Sequence, residues 1–131
     1  MVDLNDAYFT IKIAEKIKNN SWILKDKICI IGCGSIGFRH LESILKNKNQ
    51  LEIYIFEKKQ INIINILSFI KDNNKYNHQI KISKLFNIRF LKIDILIIST
   101  NSDVRFKIID LFFKKNNMAN KIILEKLVSQ N

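Results

Sequence analysis

Residues 27–37 read KICIIGCGSIG, and they decide the fold expected of this 131-residue chain. The first five residues form a mostly apolar run, which predicts a short strand buried on both faces of a parallel sheet. The last six contain every glycine of the chain, three in all, where average usage would give roughly nine. The glycines are therefore concentrated at one turn, at the point where a strand ends and a helix begins.

Strands and helices alternate along the rest of the chain. The predicted strands are apolar runs at 27–31, 51–56, 79–82, 94–99 and 121–124. The predicted helices carry apolar residues at helical spacing over 35–46, 60–71 and 102–115, and 83–90 is either a short helix or an irregular crossover. This alternation predicts the α/β class: a Rossmann-like, doubly wound parallel sheet with strand order 3-2-1-4-5.

The inward faces of the later helices follow from the spacing of their apolar residues. The residues expected to face the sheet are Ile63, Ile64, Leu67 and Ile70 in the second helix, and Val104, Ile108, Leu111 and Phe112 in the third. Ser102 is the predicted N-cap of that third helix, because serine is a favoured residue at the cap position.

The chain divides into a predicted N-terminal helical extension, residues 1–25, and a single domain, residues 26–131. Apolar residues of the extension recur at spacings of three and four: Leu4, Ala7, Tyr8, Ile11, Ala14 and Ile17. We expect this extra helix to pack on the sheet or its open edge, or to mediate self-association. The first six residues include two acids and no base, which argues against a secretory signal.

Charge and hydropathy limit the classes of partner. The longest uncharged stretches, 28–38 and 60–70, are 11 residues each, about half a membrane span, so we expect a soluble, cytoplasmic protein. The net charge of +10 comes from 22 basic residues, of which 19 are lysines without a clustered run. The absence of a basic stripe with interleaved aromatic residues argues against nucleic acid as a partner.

The two cysteines, Cys29 and Cys33, give no metal or disulfide signal. They are too few for a disulfide framework and lack the C-x2-C pair that a zinc site would need. We therefore predict no metal site, and we interpret both residues as reduced packing residues of the first strand and its turn.

The glycine turn fits a dinucleotide-binding fingerprint. Gly32, Gly34 and Gly37 form the pattern G-x-G-x-x-G, and Glu57 closes the second strand 20 residues later. In that pattern the first glycine makes the tight turn, the second lets the backbone approach a pyrophosphate, and the third allows helix and strand to pack closely. The helix that begins at Ser35 and Ile36 would then direct free N–H groups at the anion.

Glu57 bears on the choice of dinucleotide. Its carboxylate would accept hydrogen bonds from the adenosine ribose hydroxyls and would repel a 2′-phosphate, so NAD is the expected cofactor. Lys58 and Lys59 could each reach a 2′-phosphate, which leaves NADP open. Two other interpretations of the turn remain: a methyltransferase that binds adenosylmethionine, and a glycine turn without any nucleotide.

Three motifs occur in the order typical of a known family. They are IIGCGSIGFRHL at 30–41, DILIISTNSDVR at 94–105, and ILEK at 123–126. Together they resemble the Gfo/Idh/MocA family of NAD(P)-dependent oxidoreductases. The resemblance implies an N-terminal Rossmann domain, a C-terminal α/β domain that supplies much of the substrate site, and oxidation or reduction of a sugar or cyclitol hydroxyl.

The resemblance also assigns roles to individual residues. Thr100 and Asn101 occupy a Thr-Pro step that contacts the cofactor after the fourth strand, and Glu125 and Lys126 occupy a Glu-Lys-Pro step. It implies that Lys126 lies beside the nicotinamide and the substrate, where its ammonium would orient or polarise the reacting hydroxyl. Lys126 is thus the candidate catalytic residue, and a solvated lysine at a strand end is the alternative.

The chain departs from the family pattern at several positions. Asn101 and Leu127 replace prolines, and Arg105 stands where many members have histidine. The changes are either compositional drift in a chain without proline or the signature of a branch that acts in surface-polysaccharide or sugar-nucleotide pathways. His40 occupies a position where family members often have histidine, and we interpret it as a packing and hydrogen-bonding residue.

The resemblance ends at the fifth predicted strand, and a substrate domain is missing from the sequence. We therefore expect a cofactor-binding half without turnover on its own, whose partners are the dinucleotide and, in a full-length context, a sugar-type substrate. The alternative is a non-catalytic NAD(H)-binding or sensing module that acts through a partner. The open sheet edge at 121–124 and the N-terminal helix are two routes to a homo-oligomer.

Overall fold

The computed structural model describes residues 25–125 of the chain. The elements within this range are β1 (Lys27–Ile31), α1 (Ser35–Leu45), β2 (Glu52–Phe56), α2 (Gln60–Asn73), β3 (Gln79–Ser83), β4 (Lys92–Ile98), α3 (Ser102–Lys114) and β5 (Met118–Leu124). The predicted N-terminal helix falls on residues outside the described range, and so does Lys126. Residues 84–91 cross from β3 to β4 without a helix, which is the irregular alternative of the sequence prediction.

The five strands form one parallel sheet in the order β3-β2-β1-β4-β5. The apolar run of β1 occupies its centre, where Ile30 pairs with Ile55 of β2 on one side and with Ile97 of β4 on the other. Both the α/β class and the strand order predicted from the sequence are confirmed.

Helices cover both faces of the sheet, because alternate residues of each central strand point to opposite sides. One core cluster joins α1 and α2 to the sheet and includes Ile30, Leu41, Ile44, Ile55, Ile66 and Ile97. The other joins α3 and the crossover to the opposite face and includes Cys29, Phe56, Ile88, Leu96, Ile98 and Phe112. The sheet is therefore doubly wound.

Buried polar side chains hold the loops at the amino end of the sheet, where each strand begins. His78 accepts the Leu51 N–H at Nδ1 (3.0 Å), and its Nε2 is 3.2 Å from the Leu45 carbonyl oxygen. Burial lowers the pKa of His78, so the imidazole is neutral and the Nε2 proton goes to that carbonyl. His78 thus connects the C-terminal end of α1 with the starts of β2 and β3.

Asn117 has the same function beside β5. Its Oδ1 accepts the Leu91 N–H (3.0 Å), and its Nδ2 donates to the carbonyl oxygens of Ile88 and Phe112, each at 3.1 Å. The amide is almost fully buried, so these bonds satisfy polar groups that would otherwise be costly to bury. Asn117 therefore fixes the crossover and the end of α3 against the start of β5.

The predicted inward face of α2 is partly wrong. Ile63 and Ile66 are buried, but Ile64 is 50% exposed and Leu67 is 54% exposed. The helix sequence, QINIINILSFIKDN, is apolar on almost all sides, so spacing alone cannot select one face.

The start of α3 and its inward face also differ from the prediction. Asn101, not Ser102, occupies the cap position, and no side-chain bond caps the helix. Phe112 is buried as predicted, whereas Val104 and Leu111 are exposed and line a cleft. Their apolar character serves that cleft rather than the sheet.

β4 and β5 begin two and three residues before their predicted starts, at Lys92 and Met118. The edge strand β5 alternates between exposed and half-buried residues along its length, so polar side chains such as Asn120 are compatible with it. Met118, Ile122 and Leu124 are among its exposed residues. The open apolar edge predicted at 121–124 is thus present among the described residues.

Candidate nucleotide-binding site

Gly32 makes the turn that ends β1. Its φ of +83° lies in the left-handed region, and a Cβ added there would lie 2.8 Å from Thr100 Cγ2 and 3.2 Å from the Ser99 backbone. Its N–H donates to the Phe56 carbonyl oxygen at 2.8 Å. Both the conformation and the contact with the end of β4 require glycine here, as the sequence pattern predicted.

Gly37 lies in the first turn of α1 and is buried. An added Cβ would overlap the Gly32 carbonyl oxygen and would lie 3.5 Å from Ile30 Cγ2. The close packing of helix on strand that the third glycine was expected to allow is therefore present.

Gly34 differs from the other two glycines. A Cβ added at this position would have no atom of residues 25–125 within 4 Å, and the φ of −79° lies outside the left-handed region. Packing within this part of the chain therefore does not require a glycine here. Gly34 lines a cleft at the carboxyl end of the sheet, so the space above it opens into that cleft.

The N-terminus of α1 adjoins Gly34. No side chain caps this helix end, and its first turn carries no acidic residue. The first N–H groups of a helix have no intrahelical acceptor, and they carry the positive end of the helix dipole. The N–H groups beginning at Ser35 and Ile36 can therefore receive an anion.

Glu57 is only 7% exposed and joins two loops. Its Oε1 accepts the Cys33 N–H at 2.6 Å, and its Oε2 accepts the Lys59 N–H at 2.8 Å. Each carboxylate oxygen retains a second lone pair that a ribose hydroxyl could use. The bracing of the glycine turn by Glu57 is a role that the fingerprint did not predict.

The cysteines beside this site are inert. Burial, and after it the charge of Glu57, raises the pKa of the Cys33 thiol to about 12. Burial also raises the pKa of Cys29. Both are free and buried, in agreement with the predicted packing role, and neither is a thiolate nucleophile at neutral pH.

The end of β4 supplies two hydroxyls. Ser99 Oγ and Thr100 Oγ1 are buried and have no hydrogen-bond partner among residues 25–125, and both residues line the cleft. Asn101 follows at the cleft rim and is exposed. Because buried hydroxyls are normally paired, the two orphaned groups suit a polar ligand.

The cleft has a volume of about 580 Å³ and lies over the carboxyl ends of β1, β2 and β4. This size is ordinary for a small-molecule site, and ligands of open parallel sheets bind at this end. An apolar wall is formed by Ile31, Phe56, Phe86, Val104, Ile108 and Leu111. Four lysines stand on its rim: Lys58, Lys59, Lys84 and Lys107. Glu57 is the acidic residue of the lining.

A second cleft of similar size, about 510 Å³, lies between β2, β3 and the 84–91 crossover. Tyr54, Lys81 and Arg89 are among the residues that line it. It contains none of the predicted site residues, so the cleft above Gly34 is the better candidate.

Glu125, in the third quoted motif, is outside the lining of the main cleft and contacts residues of the other two motifs. Its Oε1 is 2.7 Å from His40 Nε2, and its carbonyl oxygen accepts a bond from Arg105 Nη2 at 2.6 Å. The hydrogen-bonding role predicted for His40 is thus present. Glu125 is not part of the cleft lining, so its predicted contact with the cofactor stays a prediction.

The cleft brings together five of the predicted cofactor residues: Gly32, Gly34, Glu57, Thr100 and Asn101. Lys84 and Lys107 also line the cleft, although the sequence did not predict them. At least one strand or helix separates each of them from the fingerprint along the chain. The predicted catalytic role of Lys126 falls on a residue that is not described.

Searches against protein-family models, curated proteins and solved structures find no match to this chain. Among the described residues, no cluster of three or more His, Cys, Asp or Glu side chains could hold a metal ion. None of the helices in this range is sufficiently long and apolar to cross a membrane.

Proposed function

We propose that residues 26–131 bind a nicotinamide dinucleotide at the cleft above Gly34. The observation that carries this proposal is Gly34 itself, because a glycine stands where no atom of residues 25–125 lies within 4 Å of an added Cβ. A ligand that must approach the backbone gives a physical reason for that glycine. Gly32 and Gly37, in contrast, are explained by the fold.

The chemistry of the cleft suits each part of the ligand. The uncapped N-terminus of α1 favours a pyrophosphate. The apolar wall, which includes Phe56, Val104 and Leu111, suits adenine, and Glu57 can accept ribose hydroxyls. The orphaned hydroxyls of Ser99 and Thr100 suit polar groups farther along the dinucleotide. NAD is the proposed cofactor, and NADP is considered below.

The proposed enzyme class is that of the Gfo/Idh/MocA-like oxidoreductases. A reaction of that class transfers a hydride between the nicotinamide and a sugar or cyclitol carbon that carries a hydroxyl or a carbonyl. The contact of Glu125 with His40 and Arg105 supports this class, because it joins residues from all three motifs. The proposal assigns cofactor binding to this domain and turnover only to an assembly that also supplies a substrate site.

A non-catalytic module that binds NAD(H) and acts through a partner is the second candidate. It is favoured by the exposed edge strand β5, with Met118, Ile122 and Leu124 accessible on it. An uncovered strand edge can pair with a second chain. If the module is the correct interpretation, sedimentation should detect a dimer whose affinity changes with the NADH to NAD ratio.

Titration of the chain with NADH, followed by fluorescence or calorimetry, tests the proposed function. Gly34→Ala should weaken binding by about tenfold or more, because its methyl group would occupy the position of the pyrophosphate. The unfolding midpoint of this variant should be nearly unchanged, since the methyl group would have no atom of the described residues within 4 Å. Ser68→Ala, on the exposed surface of α2, is the matched control and should bind like the parent chain.

Two results would contradict the proposal. One is a folded chain that binds neither NADH nor NADPH at millimolar concentration. The other is a Gly34→Ala variant that binds as tightly as the parent chain. Adenosylmethionine in a parallel titration distinguishes the methyltransferase interpretation, which predicts binding of that ligand instead.

A further inference from the structure

The rim of the cleft is strongly basic. Lys58, Lys59, Lys84 and Lys107 line it, and all four are exposed. None of them forms an ion pair with a carboxylate of residues 25–125, in which the observed pairs involve Lys27, His40 and Lys114. Their charges are therefore available to a ligand.

The β2–β3 pairing places one of these lysines beside Glu57. Phe56 pairs with Ser83, and the Glu57 N–H donates to the Ser83 carbonyl oxygen at 3.0 Å. Lys84 directly follows Ser83, so it stands next to the acid that would bind the adenosine ribose. Lys58 directly follows Glu57 on the neighbouring strand end. The two lysines thus flank the ribose position from two strands.

Glu57 is a weaker barrier to a phosphate than its sequence position indicates. Its carboxylate accepts two backbone N–H groups, from Cys33 and Lys59. Hydrogen bonds of this kind stabilise the negative charge and offset part of its field. The cleft lining holds this one acid and four lysines, so its net formal charge is positive.

We propose that the cleft binds NADP(H) at least as tightly as NAD(H), with Lys58 and Lys84 facing the 2′-phosphate. A phosphate monoester carries a charge of about −1.5 to −2 at neutral pH, which matches two flanking ammonium groups. This inference rests on the proposed function, because it concerns which dinucleotide the same cleft selects. It revises the expectation that Glu57 alone would set the preference for NAD.

Parallel titrations with NADPH and NADH test the inference. The dissociation constant for NADPH should equal or fall below that for NADH, and it should rise more steeply with salt. Lys58→Ala and Lys84→Ala should each weaken NADPH binding by about twofold to fivefold, the range of an exposed charge pair. Both variants should weaken NADH binding less than NADPH binding, because NADH lacks the 2′-phosphate. Lys48→Ala, in the exposed turn after α1, is the control and should change neither constant.

The outcomes separate this inference from the proposed function. Tighter binding of NADH than of NADPH by the parent chain would overturn the inference alone. Equal losses for the two dinucleotides in both lysine variants would also overturn it, because the lysines would then attract any anion. Failure of both dinucleotides to bind would overturn the proposed function as well.

Discussion

Two pairs of buried polar side chains, one pair at each end of the parallel sheet, differ in their hydrogen bonding. At the amino end, Asn117 and His78 are buried, and their polar atoms are paired with backbone groups. At the carboxyl end, Ser99 and Thr100 bury hydroxyls that lack partners among the described residues. Unpaired buried groups cost stability, and they occur at the amino end as well, at Asp26 Oδ2 and Asn49 Nδ2. The difference therefore concerns these two pairs of side chains: Asn117 and His78 are paired by the fold, whereas Ser99 and Thr100 would gain partners from the proposed ligand.

Gly37 and Gly34 differ in a similar way, since only one of them is required by contacts within the fold. Gly37 is required by the contact of α1 with the Gly32 backbone, whereas a Cβ at Gly34 would have no atom of residues 25–125 within 4 Å. The fold therefore accounts for Gly37, and the proposed ligand would account for Gly34, although the two lie three residues apart. Substitutions that affect stability and binding separately can test this division.

The largest effect is expected from Gly37→Ala. Its methyl group would overlap the Gly32 carbonyl oxygen, and backbone cannot move away as a flexible side chain can. We expect a loss of about 3 kcal/mol or more in the free energy of unfolding, at the upper end for overpacking. Urea unfolding measures it, with Gly34→Ala as the matched control, which should change stability by less than about 1 kcal/mol. Similar losses in the two variants would remove the distinction between these glycines.

Asp26, at the amino end, should make stability depend on pH. Burial, and after it the charge of Asp94 and a hydrogen bond with it, raises the pKa of Asp26 from 3.8 to about 7. The folded state therefore keeps a proton that the unfolded chain releases near pH 4. The contribution of Asp26 to the free energy of unfolding is fully present below about pH 4, and it is lost as the pH rises to 7 and above.

The variant Asp26→Asn isolates this contribution. Between pH 4 and pH 8 the parent chain should lose on the order of 2 kcal/mol more than the variant. Chemical unfolding at the two pH values measures the difference. Asp72→Asn, on the exposed end of α2, is the control and should keep the pH dependence of the parent. If the free energy of unfolding changes with pH in the same way in the parent chain and in Asp26→Asn, then Asp26 has the same pKa in the folded and unfolded states, and the prediction is wrong.

Much of the fold was predictable because its signals are local. The apolar run 27–31 and the glycines that follow it identify the central strand and the turn, and the alternation of elements determines the strand order. The inward face of α2 was not predictable, since Ile64 and Leu67 are as apolar as the residues that are buried. In that helix tertiary packing, not the sequence pattern, selects the face.

The candidate site was predictable where it follows the fingerprint or the family resemblance. Gly34 and Glu57 stand at fixed distances along the sequence, Thr100 and Asn101 belong to the second quoted motif, and all four line the cleft. Lys84 and Lys107 come to the cleft through the pairing of β3 and the placement of α3, which no local pattern encodes. His78 lies in a polar stretch of the sequence, and only its position immediately before a strand could have indicated a structural role.

The smallest effect, and the one of opposite sign, is expected at Ser99. Removal of an unpaired buried hydroxyl by Ser99→Ala should stabilise the free chain by about 1 kcal/mol. If a dinucleotide pairs with that hydroxyl, the same change should reduce the rise in melting temperature that saturating NADH produces. Thermal unfolding with and without NADH gives both quantities, and Ser43→Ala on the exposed face of α1 should alter neither. Loss of stability in the free Ser99→Ala chain would show that the hydroxyl belongs to the fold, as Asn117 and His78 do, and that the two ends of the sheet are alike.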